Sequence, residues 1–243
     1  MKKWTVWLRV TIPVCSLRRG YAREYLETER VPPPSTIYGF LLSLVGEEDR
    51  MRYIETNIAY AVLREPQISV VLRTAWRIKE LQIGGKGKPK TDQPIGTGSN
   101  KRPDYQEILT GLDLGIWVNQ GGLADRLRAA SANPESTDRY GGLSLGESRD
   151  LINDIWWFPD YGDLRGNWVV PREEGNLTLP IWVDHVGSEG TVWRPFILLE
   201  GRLACPPPDS SLWISIVPRA DGGRAVPSRS SKRGTKRHTI MQR

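Results

Sequence analysis

The chain is poor in the residues that much chemistry depends on. Of 243 residues, two are cysteine (Cys15 and Cys205), two are histidine (His185 and His238) and three are phenylalanine. No C-x-x-C pair is present, so nothing indicates a thiolate zinc site or a dithiol redox centre. Outside a secretory context, two cysteines read as reduced thiols packed as small apolar groups. No apolar run approaches the roughly 20 residues that cross a bilayer as a helix. The opening MKKWTVWLRV carries two lysines but no apolar stretch before a small-residue cleavage site, so the expected location is cytoplasmic.

What is there looks globular, with 39% hydrophobic and 26% charged residues. The length suits one domain with an elaborated lobe. The ten tryptophans read mainly as core and lobe-interface residues. The net charge of +6 is a property of the last 25 residues: residues 219–243 hold eight Lys/Arg against the single acid Asp221, leaving the rest of the chain at −1. That segment, rich in Gly, Ser and Arg, cannot bury enough apolar surface to offset its ordering entropy and is expected to be disordered alone. It reads either as a nucleic-acid contact or as a solvated tail.

Residues 4–12 alternate with a period of two, the mark of a strand. A polar, aromatic-bearing stretch then leads to VPPPSTIYGFLLSLVGEED, where three prolines stop any strand and Ser35 or Thr36 can cap a helix running to about Gly46. Residues 57–64 and 68–78 read as two further strands, separated by a turn near Pro66. Residues 84–101 are Gly-, Pro- and Lys-rich and cannot join a core, so they are expected to project from one. Residues 105–119 end in a strand-like GIWVN, and 123–132 read as a second helix closed by Asn133-Pro134. Residues 152–158, 167–170, 177–183, 194–203 and 212–217 read as short strands. The order β-α-β-β at the start predicts an α+β fold of the ferredoxin-like type.

Three segments carry a more specific pattern. The first is GYAREYLETERVPPPSTIYGFLLSLVGE, the second NKRPDYQEILTGLDLGIWV with an R-x-x-Y-x-E-x-L core, and the third YGGLSLGESRD. In order and spacing they resemble the CRISPR-associated protein 5 family of the RAMP superfamily. The resemblance covers roughly residues 1–160, and the Trp-rich strands and proline motif look closer to the type I-B or I-MYXAN-like branches, including transposon-associated ones.

The resemblance implies a ferredoxin-like (RRM/RAMP) domain over 1–160 with a thumb hairpin at about 84–102, a β-rich C-terminal lobe over 161–218, and the basic tail. It implies a subunit of a type I Cascade complex that caps the crRNA 5′ handle, and the scarcity of histidine near the expected thumb makes that subunit a non-catalytic one. Partners would be the backbone and large subunits, with target DNA reached only through the complex. No cofactor or metal is implied.

A hooked single strand needs cations for phosphates, planar side chains for unstacked bases and close backbone approach where it bends. Lys86, Lys88, Lys90, Lys101 and Arg102 give the expected thumb five cations against Asp92. Arg18, Arg19, Tyr21, Arg23 and Tyr25 alternate charge and rings, suited either to RNA or to surface packing around the proline loop. Ser35, Thr36 and Tyr38 lie at the helix start, where orphan N–H groups and the helix dipole favour an anion; a plain cap reads the same way. Gly39 fits close helix packing or RNA approach, and Gly141, Gly142 and Gly146 fit a handle-lining loop or a tight turn.

The enzymatic alternative is a metal-independent crRNA-processing endoribonuclease, which wants Tyr, Lys and His near the scissile phosphate. Of the two histidines, His238 falls in the tail and His185 lies far along the chain from the thumb. Asp184-His185 lacks a nucleophile elbow, and Asp160 and Asp163 flank a turn without further ligands.

Overall fold

A computed structural model describes residues 5–19, 25–76, 101–139, 141–186 and 189–218. The basic tail and most of the expected thumb segment fall outside these residues.

Among the described residues the fold is a mixed α and β structure with a ten-stranded sheet and two α-helices. The strands are β1 (Val6–Cys15), β2 (Tyr25–Leu26), β3 (Asn57–Arg64), β4 (Gln67–Trp76), β5 (Lys101–Val118), β6 (Asp154–Trp157), β7 (Arg165–Pro171), β8 (Leu177–Trp182), β9 (Val192–Arg202) and β10 (Ile214–Ser215). The main path runs β6-β1-β5-β3-β7-β9-β8. Every pairing is antiparallel except that of β2 with β5. Helix α1 (Pro34–Leu44) connects β2 to β3, and α2 (Gly122–Ala132) follows β5. No described helix is long and apolar enough to cross a membrane.

The alternation in β1 divides its side chains between two cores. Val6, Leu8, Val10 and Ile12 join the helix side, packed with Ile37, Leu41, Leu123 and Leu127. Trp7 points the other way, into a smaller core with Trp117, Trp168 and Leu203. There Trp7 stacks at 4.9 Å on Trp117 and 4.7 Å on Tyr161, and Trp168 lies tilted 4.5 Å from Trp117. The Trp7 indole N–H donates to the Pro159 carbonyl at 2.8 Å, giving this buried ring the polar partner it needs. Trp156 and Trp193 depart from the core expectation, at 41% and 39% exposure.

Two local expectations are corrected. Helix α1 starts at Pro34 with Pro33 as its N-cap and no side-chain cap hydrogen bond. Ser35 and Thr36 therefore lie inside the first turn instead of capping it; proline at the first helical position has its φ preset and no N–H to lose. Strand β5 begins at Lys101, so the apolar 105–119 stretch is only the later part of an 18-residue strand. Its residues 109–118 pair β1 and 113–118 pair β3, while residues 101–110 pair β4 in a ribbon that β2 joins at Tyr105 and Gln106. Lys101 and Arg102 stand opposite Trp76 and Ala75 at the far end of that ribbon. Strands β7, β9 and β8 extend the same sheet past β3.

Candidate nucleic-acid interface

The three patterned segments meet at the base of the β4–β5 ribbon. Thr28, buried in the first segment, donates its N–H to Glu107 of the second at 3.0 Å, and its hydroxyl accepts the N–H of Leu17 at 2.8 Å. Gln106, fully buried beside it, donates to Glu147 of the third segment at 3.0 Å and accepts from Arg149 at 2.7 Å. Asp150 closes the circuit: one carboxylate oxygen accepts the N–H groups of Ser16 and Glu147, each at 2.8 Å. These side chains are framework, fixing the 141–150 loop against the end of β1 and the foot of the ribbon.

That framework holds the loop across a groove from α1. The groove encloses about 620 Å³ and takes Ser35, Thr36 and Gly39 from the helix and Gly141, Gly142 and Ser148 from the loop. An ideal β-carbon at Gly39 would meet nothing within 4 Å, so the packing reading of this glycine fails and its face is open. Gly146 is the opposite case: at φ +114 its β-carbon would lie 2.7 Å from Asp150 and 2.8 Å from the Ser16 carbonyl, so it is a structural turn.

The far wall comes from residues that the sequence did not flag. Arg50 lies 3.9 Å above the centroid of the Trp182 ring and donates to the Val183 carbonyl. Burial pulls its guanidinium down from its ordinary value, opposed by the nearby Asp184 carboxylate. His185 also lines the groove, although far from α1 in sequence. A second cleft, of about 330 Å³, shares Ser35, Thr36 and Val183 with the first and adds Arg18, Arg19 and Trp193. Together they run around the start of α1.

The sequence candidates fall into three groups. Ser35 and Thr36 are half-buried and line both clefts. Arg18 and Arg19 are exposed in the second; Arg19 pairs with Glu27 at 3.1 Å and Glu29 at 3.4 Å, which compete for its charge. Tyr38 is 3% exposed and donates its hydroxyl to the Arg50 carbonyl at 2.8 Å; burial pushes it up to about 12. Lys101 and Arg102 are on the ribbon, paired with Trp76 and Ala75 of β4. Tyr21, Arg23, Lys86, Lys88 and Lys90 lie outside the described residues. Among the described residues no group of three or more His, Cys, Asp or Glu could hold a metal.

A curated relative, the CRISPR-associated protein Cas5 of Myxococcus xanthus (strain DK1622), is 42% identical over 207 residues, 82% of this chain and 92% of the relative. The chain belongs to the Cas5 family. No protein-family model matches it. A chain of a solved CRISPR RNA-guided surveillance complex superposes with a TM-score of 0.57 at 16% identity, over 84% of this chain and 95% of that one. That likeness concerns the fold alone.

Proposed function

We propose that this Cas5-family chain is a non-catalytic subunit of a type I CRISPR effector complex and binds the 5′ handle of the crRNA in the groove around the start of α1. The observation that carries the reading is Gly39: a glycine inside a helix costs stability, yet here no neighbour requires it and it faces an open groove with Gly141, Gly142 and Ser148 on the loop side and Arg50 and Trp182 on the far wall. Such a surface admits a nucleic-acid backbone at close range, with Ser35, Thr36 and Arg18 lining it for phosphate. Family membership supports the complex, in which the backbone and large subunits would be neighbours and target DNA would be reached through guide pairing.

The strand order β6-β1-β5-β3, with antiparallel neighbours, α1 between β2 and β3 and α2 between β5 and β6, supports the ferredoxin-like reading. The β4–β5 ribbon supports the thumb, with Lys101 and Arg102 on its second strand. To test the function, the chain is co-expressed with repeat-derived RNA and the other subunits. The handle should resist nuclease in the particle and become sensitive when this chain is omitted; equal protection without it would refute the assignment.

A second reading, crRNA cleavage, gains from His185 lining the same groove as Arg50 and Tyr38. Against it, a tyrosine pushed up to about 12 and already donating its hydroxyl makes a poor base at neutral pH. Incubation with labelled repeat RNA in EDTA separates the readings: site-specific cleavage abolished by His185→Ala would favour the enzyme.

A further inference from the structure

Most open edges of the sheet are short or blunted. Strand β6 spans only Asp154–Trp157, β2 and β10 have two residues each, and β8 carries Pro180 and slips in register between Pro180 and Trp182. These are the devices by which sheets avoid recruiting further strands. Strand β4 has none of them. It pairs β5 over ten consecutive positions without a register shift, and no other described strand pairs with it. Between Gln67 and Thr74 it has no proline, glycine or lysine, and its one cation, Arg73, lies 3.6 Å from Glu147.

The edge is also apolar in alternation. Ile68, Val70 and Leu72 are 43%, 52% and 62% exposed and, two apart, share one face of the ribbon. Tyr105, 54% exposed and directly opposite Leu72, continues that face. An aliphatic row offers phosphate neither cation nor donor, whereas a strand would satisfy the main-chain edge and pack against the row.

The row is complementary to itself. An antiparallel pairing of two copies centred on Val70 sets Val70 opposite Val70, Ile68 opposite Leu72 and Gln67 opposite Arg73, with no like charges facing. Shifting the centre to Val71 sets Ile68 against Thr74, so the Val70 register is the one that matches all three apolar residues. We propose that the free chain forms a dimer by β4–β4 pairing across a two-fold axis at Val70. The proposal is independent of the RNA-binding reading.

The test uses the full chain. Sedimentation velocity should show a concentration-dependent dimer for the wild type. The double variant Val70→Lys, Leu72→Lys should sediment as a monomer with an unchanged circular dichroism spectrum, because the new charges meet across the axis while both positions tolerate a polar group. As a check independent of that variant's folding, Val70→Cys in a Cys205→Ser background should oxidise to a covalent dimer, since directly opposed residues lie about 4.5–5.5 Å apart between Cα atoms, within disulfide reach. Ser69→Cys should not, because in this register its own copy is a diagonal neighbour about 7–8 Å away. A wild type that is monomeric at its highest soluble concentration, a dimer that survives the two lysines, or no excess of covalent dimer for Val70→Cys over Ser69→Cys would overturn the proposal.

Discussion

Thr28 and Glu107, 79 residues apart, are joined by a 3.0 Å hydrogen bond from the Thr28 N–H to the Glu107 carboxylate. The other Glu107 oxygen accepts from the Tyr25 hydroxyl at 3.2 Å, so one side chain ties the approach to α1 onto the foot of the ribbon. Glu107→Ala leaves a partly buried N–H without its acceptor, which should cost about 1–3 kcal/mol. In a chain of this size each kcal/mol lowers Tm by about 2–4 °C. Glu107→Gln keeps one acceptor oxygen and should lose less. Equal melting temperatures for the wild type and both variants would show that the link contributes nothing to stability.

The 141–150 loop depends on Asp150 in the same way, and on the absence of a side chain at Gly146. Asp150→Ala removes a charged acceptor from two N–H groups at 2.8 Å and should cost about 1.5–3 kcal/mol or more. Gly146→Ala combines a left-handed backbone with a clash against the Ser16 carbonyl and should cost about 2–4 kcal/mol. Gly141→Ala, at φ +72 with nothing within 4 Å, should lose only about 1–2 kcal/mol of backbone strain. Urea unfolding of the three variants gives the ranking, and a Gly146→Ala chain no weaker than Gly141→Ala would contradict the packing described.

How much of this was legible in the sequence depended on whether the signal was local. Strand β3 was read at its observed bounds, Asn57–Arg64, because its apolar run ends at a proline turn. The start of β5 was missed because Lys101–Gln106 is polar: it pairs a ribbon and not a core, so it lacks the apolar alternation of a half-buried strand. The helix start was misplaced by one turn feature, a serine and threonine that look like caps beside a proline that does the work. His185 was set aside for its distance along the chain, yet sheet topology returns β8 to α1 and places its following loop in the groove. Thr28, Glu107 and Asp150 lie within the patterned segments, and only their partners, brought together by the fold, show that they hold the loops.

Gly39 separates stability from binding. Alanine there meets no neighbour within 4 Å and improves helix propensity, so Gly39→Ala should stabilise the chain by about 0.5–1 kcal/mol. The same methyl group narrows the groove, and Gly39→Leu narrows it further, so retention of the guide RNA should fall from glycine to alanine to leucine while Tm does not follow. Both are read on one preparation, by thermal unfolding and by filter binding of the assembled particle. If the variants hold RNA as the wild type does, the groove is not where the backbone passes.

The ribbon is tested by charge. Handle contacts to phosphate release counterions, and each one lost on a single strand should flatten the slope of log affinity against log salt by about 0.7. Replacing Lys86, Lys88, Lys90, Lys101 and Arg102 together with Ala should weaken RNA retention, and if three of these five groups contact phosphate the slope should fall by roughly two. A Gly-, Pro- and Lys-rich segment of this composition cannot join a core, so the melting temperature should hold within about 0.5 kcal/mol of effect. The same variant separates the ribbon from the groove: if Gly39→Leu weakens binding without changing the slope and the five-site variant changes both, shape acts at α1 and charge acts at the ribbon. An unchanged complex yield and an unchanged slope in the five-site variant would mean that the segment joining β4 to β5 does not grip RNA, and the thumb assignment would fall.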